Sequence, residues 1–418
     1  MPCLLHHIGR MMHFVPISVA VAASCSPWVA LAAGEAGTSA GSPPAPMAAR
    51  VAALPEVKEL PDPFTFADGS KVKSREDWGR RRKELVDLVV GYEYGALPPA
   101  SEVKAQPVSK HAATQPSLET ATEEEITLTM GPKGEVMTKL ILTIPPTTAE
   151  HKPPFPVIVR GDLCWGRVPP ASIKAVMDRG YVLAEFDRTM IAADKAGRGN
   201  GVYLAYPDFD GGDLSAWAWG FHRVTDYLLT RPDIDGKKVI DNGLSRGGKA
   251  ALLAGALDER VAITAPCSSG AGGAGCYRVF PPKTEDLAAL EKRFPYWFEP
   301  KLKDFVGYVD RLPIDQHELK ALVAPRALIE TSGMADVWAN NPGTQATYVA
   351  AAEVYSFLGV PEKIGIHWRE GKHEQNLIDW TAILDFADWQ FYGKTPVDKF
   401  NSLAFPEQAK VYSWKAPS

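Results

Sequence analysis

The fold of this chain follows from one stretch of its sequence, Val239-Ile240-Asp241-Asn242-Gly243-Leu244-Ser245-Arg246-Gly247-Gly248-Lys249. It starts like a short buried strand and is followed by an alanine- and leucine-rich run, 250–256, that is typical of a helix. Gly243, Ser245 and Gly247 fit the pattern G-x-S-x-G, in which a serine occupies a sharp strand-to-helix turn. The serine's backbone is strained there, and side chains on its neighbours would collide. A glycine-rich turn with an idle serine is the alternative, but the flanking strand and helix favour Ser245 as a nucleophile.

The segments around this turn alternate between strand-like and helix-like patterns. Such alternation predicts a mainly parallel sheet that is covered by helices on both faces. The predicted fold class is therefore α/β, as a three-layer α/β/α sandwich of the α/β-hydrolase type. The predicted helices are residues 77–89, 173–179, 215–229, 250–256 and 377–392, and the predicted strands are 124–130, 136–144, 156–160, 181–186, 239–244, 261–265, 327–331 and 364–368.

The order of elements locates a candidate general base. In α/β-hydrolases the catalytic residues follow the order Ser, then Asp or Glu, then His along the chain. The histidine is expected in a loop after the last strand, where His373 lies in the segment 370–374. The other histidines fall near the N-terminus, before the core sheet, inside a predicted strand or in helical patterns. His373 is the predicted base, and a solvated loop histidine is the alternative.

A carboxylate is needed to hold this histidine. Asp336 follows the predicted strand 327–331, at the usual place for the acid in this fold. It would accept the imidazole N–H, fix the tautomer and stabilise the cation that forms when Ser245 loses its proton. Glu330 is a rival, but it lies within the strand, where its side chain points to one face of the sheet. Asp336 is the predicted acid, with a plain loop carboxylate as the alternative.

The N-terminal sequence and the overall charge indicate where the protein acts and argue against one class of partner. Residues 11–33 carry no charge and are almost wholly apolar or small, and Ala30-Leu31-Ala32 is a cleavage-type site. Residues 1–33 therefore predict a signal peptide and a secreted or periplasmic protein. Residues 34–59, rich in Gly, Ala, Ser and Pro, predict a disordered linker, and 60–418 a single catalytic domain. The formal net charge of −5 and the lack of Lys/Arg runs argue against a nucleic-acid partner.

Two other fates of the N-terminus are less favoured. Pro16 and Pro27 weaken the alternative of a membrane-spanning anchor, so no membrane-spanning region is expected in the mature chain. Cys25 follows a run that lacks the leucine usual in lipoprotein signals, which makes lipid anchoring less favoured than export.

Removal of the signal leaves three cysteines, Cys164, Cys267 and Cys276. An odd number implies at least one free thiol or an intermolecular partner. Cys267 and Cys276 are close enough in sequence to pair, and the sequence alone leaves this open. None has the spacing of a metal site. No metal or organic cofactor is expected, because acyl transfer by a serine needs neither.

Several motifs occur together along the chain. They are Tyr92–Pro99, Ala216-Trp217-Ala218-Trp219-Gly220, Gly243–Lys249, Ala254–Arg260, Ser269-Gly270-Ala271-Gly272-Gly273, Tyr296-Trp297-Phe298, Leu312–Leu319 and Asp379-Trp380. In combination they resemble the glucuronoyl esterases of carbohydrate esterase family 15. The resemblance covers residues 60–395, and the combined motifs are far more specific than the elbow alone.

The resemblance implies cleavage of an ester between glucuronic acid on xylan and a lignin alcohol. Position by position, it implies Ser245 as nucleophile and His373 as base. Arg246 would hold the oxyanion, a fitting task for a fixed cation in a partly dry site. Lys249, one helical turn past Ser245, would bind sugar hydroxyls. Trp338 would line the sugar site, where its face can pack on the C–H surface of the ring.

The chain departs from the family pattern at two positions. The family motif usually reads S-R-N-G-K, whereas Gly247 replaces the asparagine here. Many members also carry their catalytic Glu at the position of Ser268, and a serine cannot supply a negative charge. Either the acid has moved to Asp336 or the enzyme is weakened, and the move is favoured.

Three classes of function remain at this stage. They are a glucuronoyl esterase, another exported carbohydrate esterase such as an acetylxylan esterase, and a non-catalytic sugar-binding module. The presence of Ser245, Arg246 and His373 argues against the third class. Lys249 and Trp338 favour the first over the second, because an acetyl ester needs no uronate pocket. The expected partner is therefore a glucuronoxylan or lignin–carbohydrate ester.

Overall fold

A computed structural model of the protein describes residues 47–408 and 410–417. The predicted signal peptide and most of the predicted linker therefore lie outside the described residues. The linker prediction is wrong from residue 47 onward, because Met47–Ala52 form helix α1. Val51 and, just after the helix, Leu54 are buried in the main core, and the Val57 N–H donates to the Asp310 carbonyl at 2.6 Å. Buried apolar side chains and this hydrogen bond thus attach the segment to the fold, although Gly, Ala, Ser and Pro dominate the composition before it.

Nine strands of the described chain form a single sheet. They are β1 (Lys104–Ala112), β2 (Thr122–Met130), β3 (Val136–Ile144), β4 (Phe155–Arg160), β5 (Val182–Phe186), β6 (Ile234–Leu244), β7 (Val261–Cys267), β8 (Ala327–Gly333) and β9 (Ile364–Arg369). Their order across the sheet is β1-β2-β3-β5-β4-β6-β7-β8-β9. The pairs from β1 to β5 are antiparallel, and those from β5 through β4 to β9 are parallel. The predicted α/β class is therefore present, with an antiparallel extension at one edge.

Helices cover both faces of this sheet. Alternate residues of β4 show the division: Val157 and Val159 join one buried cluster and Ile158 joins the other. The first cluster includes residues of α5, α6, α8 and α9, and the second includes residues of α3 and α10. After α1, the helices are α2 (Arg75–Val89), α3 (Pro170–Asp178), α4 (Gly201–Ala205), α5 (Asp213–Leu228), α6 (Arg246–Leu257), α7 (Leu287–Arg293), α8 (Gln316–Ala321), α9 (Asn341–Phe357) and α10 (Leu377–Tyr392).

The predicted elbow lies between β6 and α6. Ser245 has φ 58° and ψ −126°, a backbone conformation that L-residues rarely adopt. Its N–H donates to the Cys267 carbonyl at 2.9 Å, which fixes the turn to the neighbouring strand β7. A Cβ on Gly243 would lie 2.3 Å from the Gly247 carbonyl oxygen, so strand and helix approach too closely for any side chain at that point.

Gly247 is constrained by a carboxylate as well. A Cβ at this position would lie 1.9 Å from Asp162 Oδ1. Asp162 follows β4 and is 1% exposed. It cannot withdraw, because its Oδ1 accepts from Arg188 at 2.5 Å and its Oδ2 accepts the Leu244 N–H at 2.8 Å. The asparagine expected from the family motif would therefore not fit in this chain, since Asp162 occupies the volume.

We expect Gly247→Ala to lower the free energy of unfolding by about 1–3 kcal/mol, the usual cost of overpacking. Gly79→Ala is the matched control. Gly79 lies exposed in α2 with nothing within 4 Å of its would-be Cβ, so alanine should stabilise that helix by up to about 1 kcal/mol. Urea unfolding of both variants checks the prediction, and equal shifts would contradict the close approach at Gly247.

Candidate active site

The candidate residues lie where neighbouring parallel strands end. Ser245 follows β6, Ser268 follows β7, Asp336 comes shortly after β8, and His373 lies in the loop after β9. The carboxyl ends of parallel strands meet at one edge of a sheet, which is where ligands bind in open α/β sheets. The topology therefore gathers side chains that are far apart in sequence.

Asp336 and His373 are in direct contact. His373 Nδ1 lies 2.7 Å from Asp336 Oδ2, within the 3.2 Å limit of an ordinary hydrogen bond. A carboxylate only accepts, so the proton of this bond belongs to Nδ1 and leaves Nε2 as the basic nitrogen. Asp336 is buried, and its Oδ1 accepts the Ala339 N–H at 3.3 Å. This contact agrees with the predicted pairing of Asp336 and His373, whose catalytic roles stay predictions.

The rival carboxylate is engaged elsewhere. Glu330 is buried in β8 and lies 2.7 Å from Lys320 Nζ. Lys320 also donates to Thr344 and Thr347 on α9, so the pair belongs to the packing beneath the sheet. Glu330 is thus a structural partner of Lys320 and does not contact His373.

Ser268 takes part in a chain of uncharged groups. Its Oγ lies 3.1 Å from Ser332 Oγ, which donates to Asn341 Oδ1 at 2.7 Å. The Asn341 amide in turn donates to the Gly333 carbonyl at 2.8 Å. The position at which the family resemblance led us to expect a catalytic Glu is therefore part of a hydroxyl network that links the ends of β7 and β8 to α9.

Arg246 is held by one carboxylate and by aromatic rings. Its Nη1 lies 2.7 Å from Asp194 Oδ2, and Asp194 Oδ1 accepts the Trp297 indole N–H at 2.9 Å. The guanidinium carbon lies 4.6 Å from the ring centre of Trp297 and 5.0 Å from that of Phe294. Its Nε is buried and has no hydrogen-bond partner among the described residues. The side chain as a whole is 26% exposed, so part of it remains accessible to a ligand.

Lys249 lies deeper than the sequence indicates. The side chain is 1% exposed, and its Nζ donates to the carbonyls of Ser269 and Ala271 at 2.5 Å each and to Glu285 Oε2 at 2.7 Å. An ammonium group has three donors, and all of them are used here. Burial lowers the pKa of Lys249 and raises that of Glu285, while the attraction between the two opposes both shifts. A sugar hydroxyl could bind Lys249 only by replacing one of these acceptors.

Glu285 is in contact with Trp338. Its N–H donates to the Trp338 carbonyl at 3.0 Å. Burial raises the pKa of Glu285, and the charges of Lys249 and His373 and a hydrogen bond from the Trp338 side chain oppose that shift. The half-buried Trp338 ring has the Arg293 guanidinium 4.7 Å from its centre. Glu285 was not predicted, because a lone glutamate ahead of a short helix resembles any helix start.

The sulfur atoms take no part in this site. Cys164, Cys267 and Cys276 are all free thiols, so the pairing left open for Cys267 and Cys276 is absent. Burial raises the pKa of Cys164 to about 11, which makes it a poor nucleophile at neutral pH. No group of side chains suited to holding a metal ion is found in residues 47–408 and 410–417.

Residues 129–359, more than half of the chain, match the family profile described as "Glucuronyl esterase, fungi". The chain belongs to the glucuronoyl esterase family. The predicted family is confirmed, as are the α/β-hydrolase fold and the class of carboxylic ester hydrolase.

Curated and solved relatives support the same assignment. The 4-O-methyl-glucuronoyl methylesterase of Schizophyllum commune is 33% identical over 381 residues, covering 86% of this chain and 91% of that relative. The carbohydrate esterase family 15 glucuronoyl esterase of Caldicellulosiruptor kristjansonii has a TM-score of 0.74 and 32% identity, covering 88% of this chain and 99% of that one. A Sporotrichum thermophile glucuronoyl esterase in complex with methyl 4-O-methyl-β-D-glucopyranuronate has a TM-score of 0.68 and 25% identity. The match covers 85% of this chain and 95% of that one.

The buried pair in this glucuronoyl esterase yields a stability prediction. Lys249→Ala should lower the free energy of unfolding by about 3–5 kcal/mol, because it leaves Glu285 as a buried charge without a partner. Adding Glu285→Gln should recover part of the loss, since a neutral amide needs no counter-charge. Chemical unfolding of both variants measures the difference, and a double variant no more stable than Lys249→Ala would contradict the coupling.

Proposed function

We propose that this glucuronoyl esterase is exported and hydrolyses esters of (4-O-methyl-)glucuronic acid on xylan with lignin alcohols, through an acyl-serine intermediate. The observation that carries the proposal is the 2.7 Å contact between His373 and Asp336, at the strand ends that also hold the strained Ser245. The names of the relatives indicate the same substrate class, including the methyl glucuronate ester bound in the Sporotrichum structure.

The proposed reaction begins with Ser245. Its Oγ attacks the ester carbonyl carbon while His373 Nε2 takes the hydroxyl proton, and Asp336 stabilises the resulting imidazolium through the Nδ1 contact. Collapse of the tetrahedral intermediate breaks the bond to the alcohol, which leaves with the proton from His373. A water molecule then repeats the sequence on the acyl-serine, and it releases the uronic acid and restores Ser245.

Arg246 is the proposed donor to the oxyanion. Asp194 and the aromatic rings hold its guanidinium in place, and its side chain is 26% exposed. A preorganised donor beside the nucleophile stabilises charge that develops on the carbonyl oxygen, without reorganisation during the reaction. The start of α6 adds the positive end of its dipole at the same place.

The uronate side of the substrate is proposed to bind next to β7 and β8. Lys249 and Glu285 would bind sugar hydroxyls by exchanging one of their present hydrogen bonds, and the Trp338 ring offers a surface for the ring C–H groups. A polar pair of this kind is unnecessary for an acetyl group. The site therefore favours a uronate ester over an acetylated xylan as the substrate. An assay on both substrates distinguishes the two.

Export is proposed from the N-terminal sequence pattern. The predicted signal peptide of residues 1–33 lies outside the described residues, as does Cys25, the less favoured lipidation site. None of the helices in the described part of the chain is long and apolar enough to span a bilayer. A lignin–carbohydrate substrate is also found outside the cell, which agrees with a secreted or periplasmic enzyme.

The purified protein should hydrolyse a benzyl glucuronate ester much faster than it releases acetate from acetylated xylan. Ser245→Ala and His373→Ala should each remove nearly all of this turnover, because nucleophile and base act as one unit. Retention of more than about a hundredth of the activity by Ser245→Ala would rule out the acyl-serine mechanism. Preference for acetylated xylan would overturn the proposed substrate class.

Asp336→Asn should lower kcat by about four orders of magnitude, since an amide can hold the wrong histidine tautomer and cannot offset the imidazolium charge. Glu330→Gln is the matched control, as it changes a buried carboxylate that contacts Lys320 and not His373. That variant should lose stability and keep kcat. A large loss of kcat in Glu330→Gln together with an active Asp336→Asn would reverse the assignment.

A further inference from the structure

Four buried polar side chains connect the nucleophile strand to the loop that carries the base. Arg160 and Gln375 are each 8% exposed, Asp162 is 1% exposed and Asn242 is fully buried. Arg160 ends β4 and Asp162 lies two residues after it, whereas Asn242 lies in β6 and Gln375 lies two residues after His373. We refer to these four residues as the elbow–base bridge.

One end of the bridge holds the elbow. Asp162 Oδ2 accepts the N–H of Leu244, the residue directly before Ser245, at 2.8 Å. Arg160 Nη2 lies 3.2 Å from the same oxygen. The guanidinium of Arg160 is therefore fixed relative to the backbone that presents Ser245.

The other end holds the base loop. Arg160 Nη1 donates to Asn242 Oδ1 at 3.0 Å and also to Gln375 Oε1. Gln375 Nε2 donates to Asn242 Oδ1 at 3.3 Å, which closes a triangle of hydrogen bonds. Asn242 is itself fixed, because its amide donates to the Ala265 carbonyl of β7 at 2.7 Å.

Other contacts hold the base loop on its opposite side. Arg369 donates to the carbonyls of Glu370 at 3.0 Å and Lys372 at 3.2 Å, and the Ala335 N–H donates to the Gly371 carbonyl at 2.9 Å. These contacts join the loop to β8 and β9, on the side of the acid. The contacts of Gln375 instead join it to β6, on the side of the nucleophile.

We propose that the elbow–base bridge is a positioning cluster that sets the distance and angle between His373 and Ser245. The proposal rests on the catalytic roles proposed above for those two residues. A general base must lie within hydrogen-bond reach of the proton it removes, and a displacement of about 1 Å can cost about a hundredfold in rate. Hydrogen bonds from a charged donor in a buried site are strong, so they suit this task.

The test compares Gln375→Ala with Gln375→Glu. The alanine variant removes the acceptor for Arg160 and should lower kcat by about 10- to 100-fold on a benzyl glucuronate ester with KM nearly unchanged. The glutamate variant keeps that acceptor and should keep most of kcat. The rate at which a p-nitrophenyl phosphonate labels Ser245 should fall in parallel with kcat, since labelling needs the base and not the sugar pocket. If Gln375→Ala does not fold, Gln375→Met removes the acceptor while it fills the volume.

Tyr181→Phe is the control for a purely structural role. The Tyr181 hydroxyl donates to Asp388 Oδ1 at 2.8 Å, a buried long-range contact at the amino end of β5, and its loss should lower stability without changing kcat. The proposed positioning role is rejected if Gln375→Ala behaves like Tyr181→Phe, with lower stability and unchanged kcat and labelling rate. If Ser245→Ala or His373→Ala remains active in the same assay, the proposed function itself fails. Loss of activity in those two variants beside an unaffected Gln375→Ala rejects the bridge alone.

Discussion

The close approach of β6 and α6 at Ser245 is the constraint on which the rest of the site depends. Strand and helix meet at a distance that leaves no room for a side chain on Gly243, and Ser245 adopts a positive φ at the contact. Strain of this size persists only where the surroundings fix it, which the Cys267 carbonyl and the Asp162 carboxylate do here. The core clusters on both faces of the sheet supply the rigidity.

Much of this arrangement follows from the sequence, because its signals are local or topological. The apolar runs of the parallel strands predict the sheet, and the fixed order of strands then brings Asp336 and His373 to the same edge as Ser245. The contact between Asp336 and His373 could be predicted without knowledge of side-chain packing. The same reasoning disfavoured Glu330, whose place inside β8 turns it away from His373 and toward Lys320.

What the sequence did not predict depends on contacts between distant segments. Glu285 and Gln375 are ordinary polar residues until the fold brings them to Lys249 and Arg160. The edge strand β1 has mostly exposed polar residues and lacks the alternation by which strands are recognised. Export, the sugar contacts and the role of each catalytic group stay predictions, since they concern residues outside the described chain or molecules bound to it.

The contact between Asp162 and Gly247 also limits how this enzyme can change over time. A side chain at 247 collides with the carboxylate, and loss of the carboxylate leaves the Leu244 N–H without its acceptor and removes one partner each from the buried Arg160 and Arg188. A substitution at either position alone therefore destabilises the enzyme while the other residue is unchanged. The two positions form an epistatic pair, and a lineage can exchange them only together or through a compensating change elsewhere.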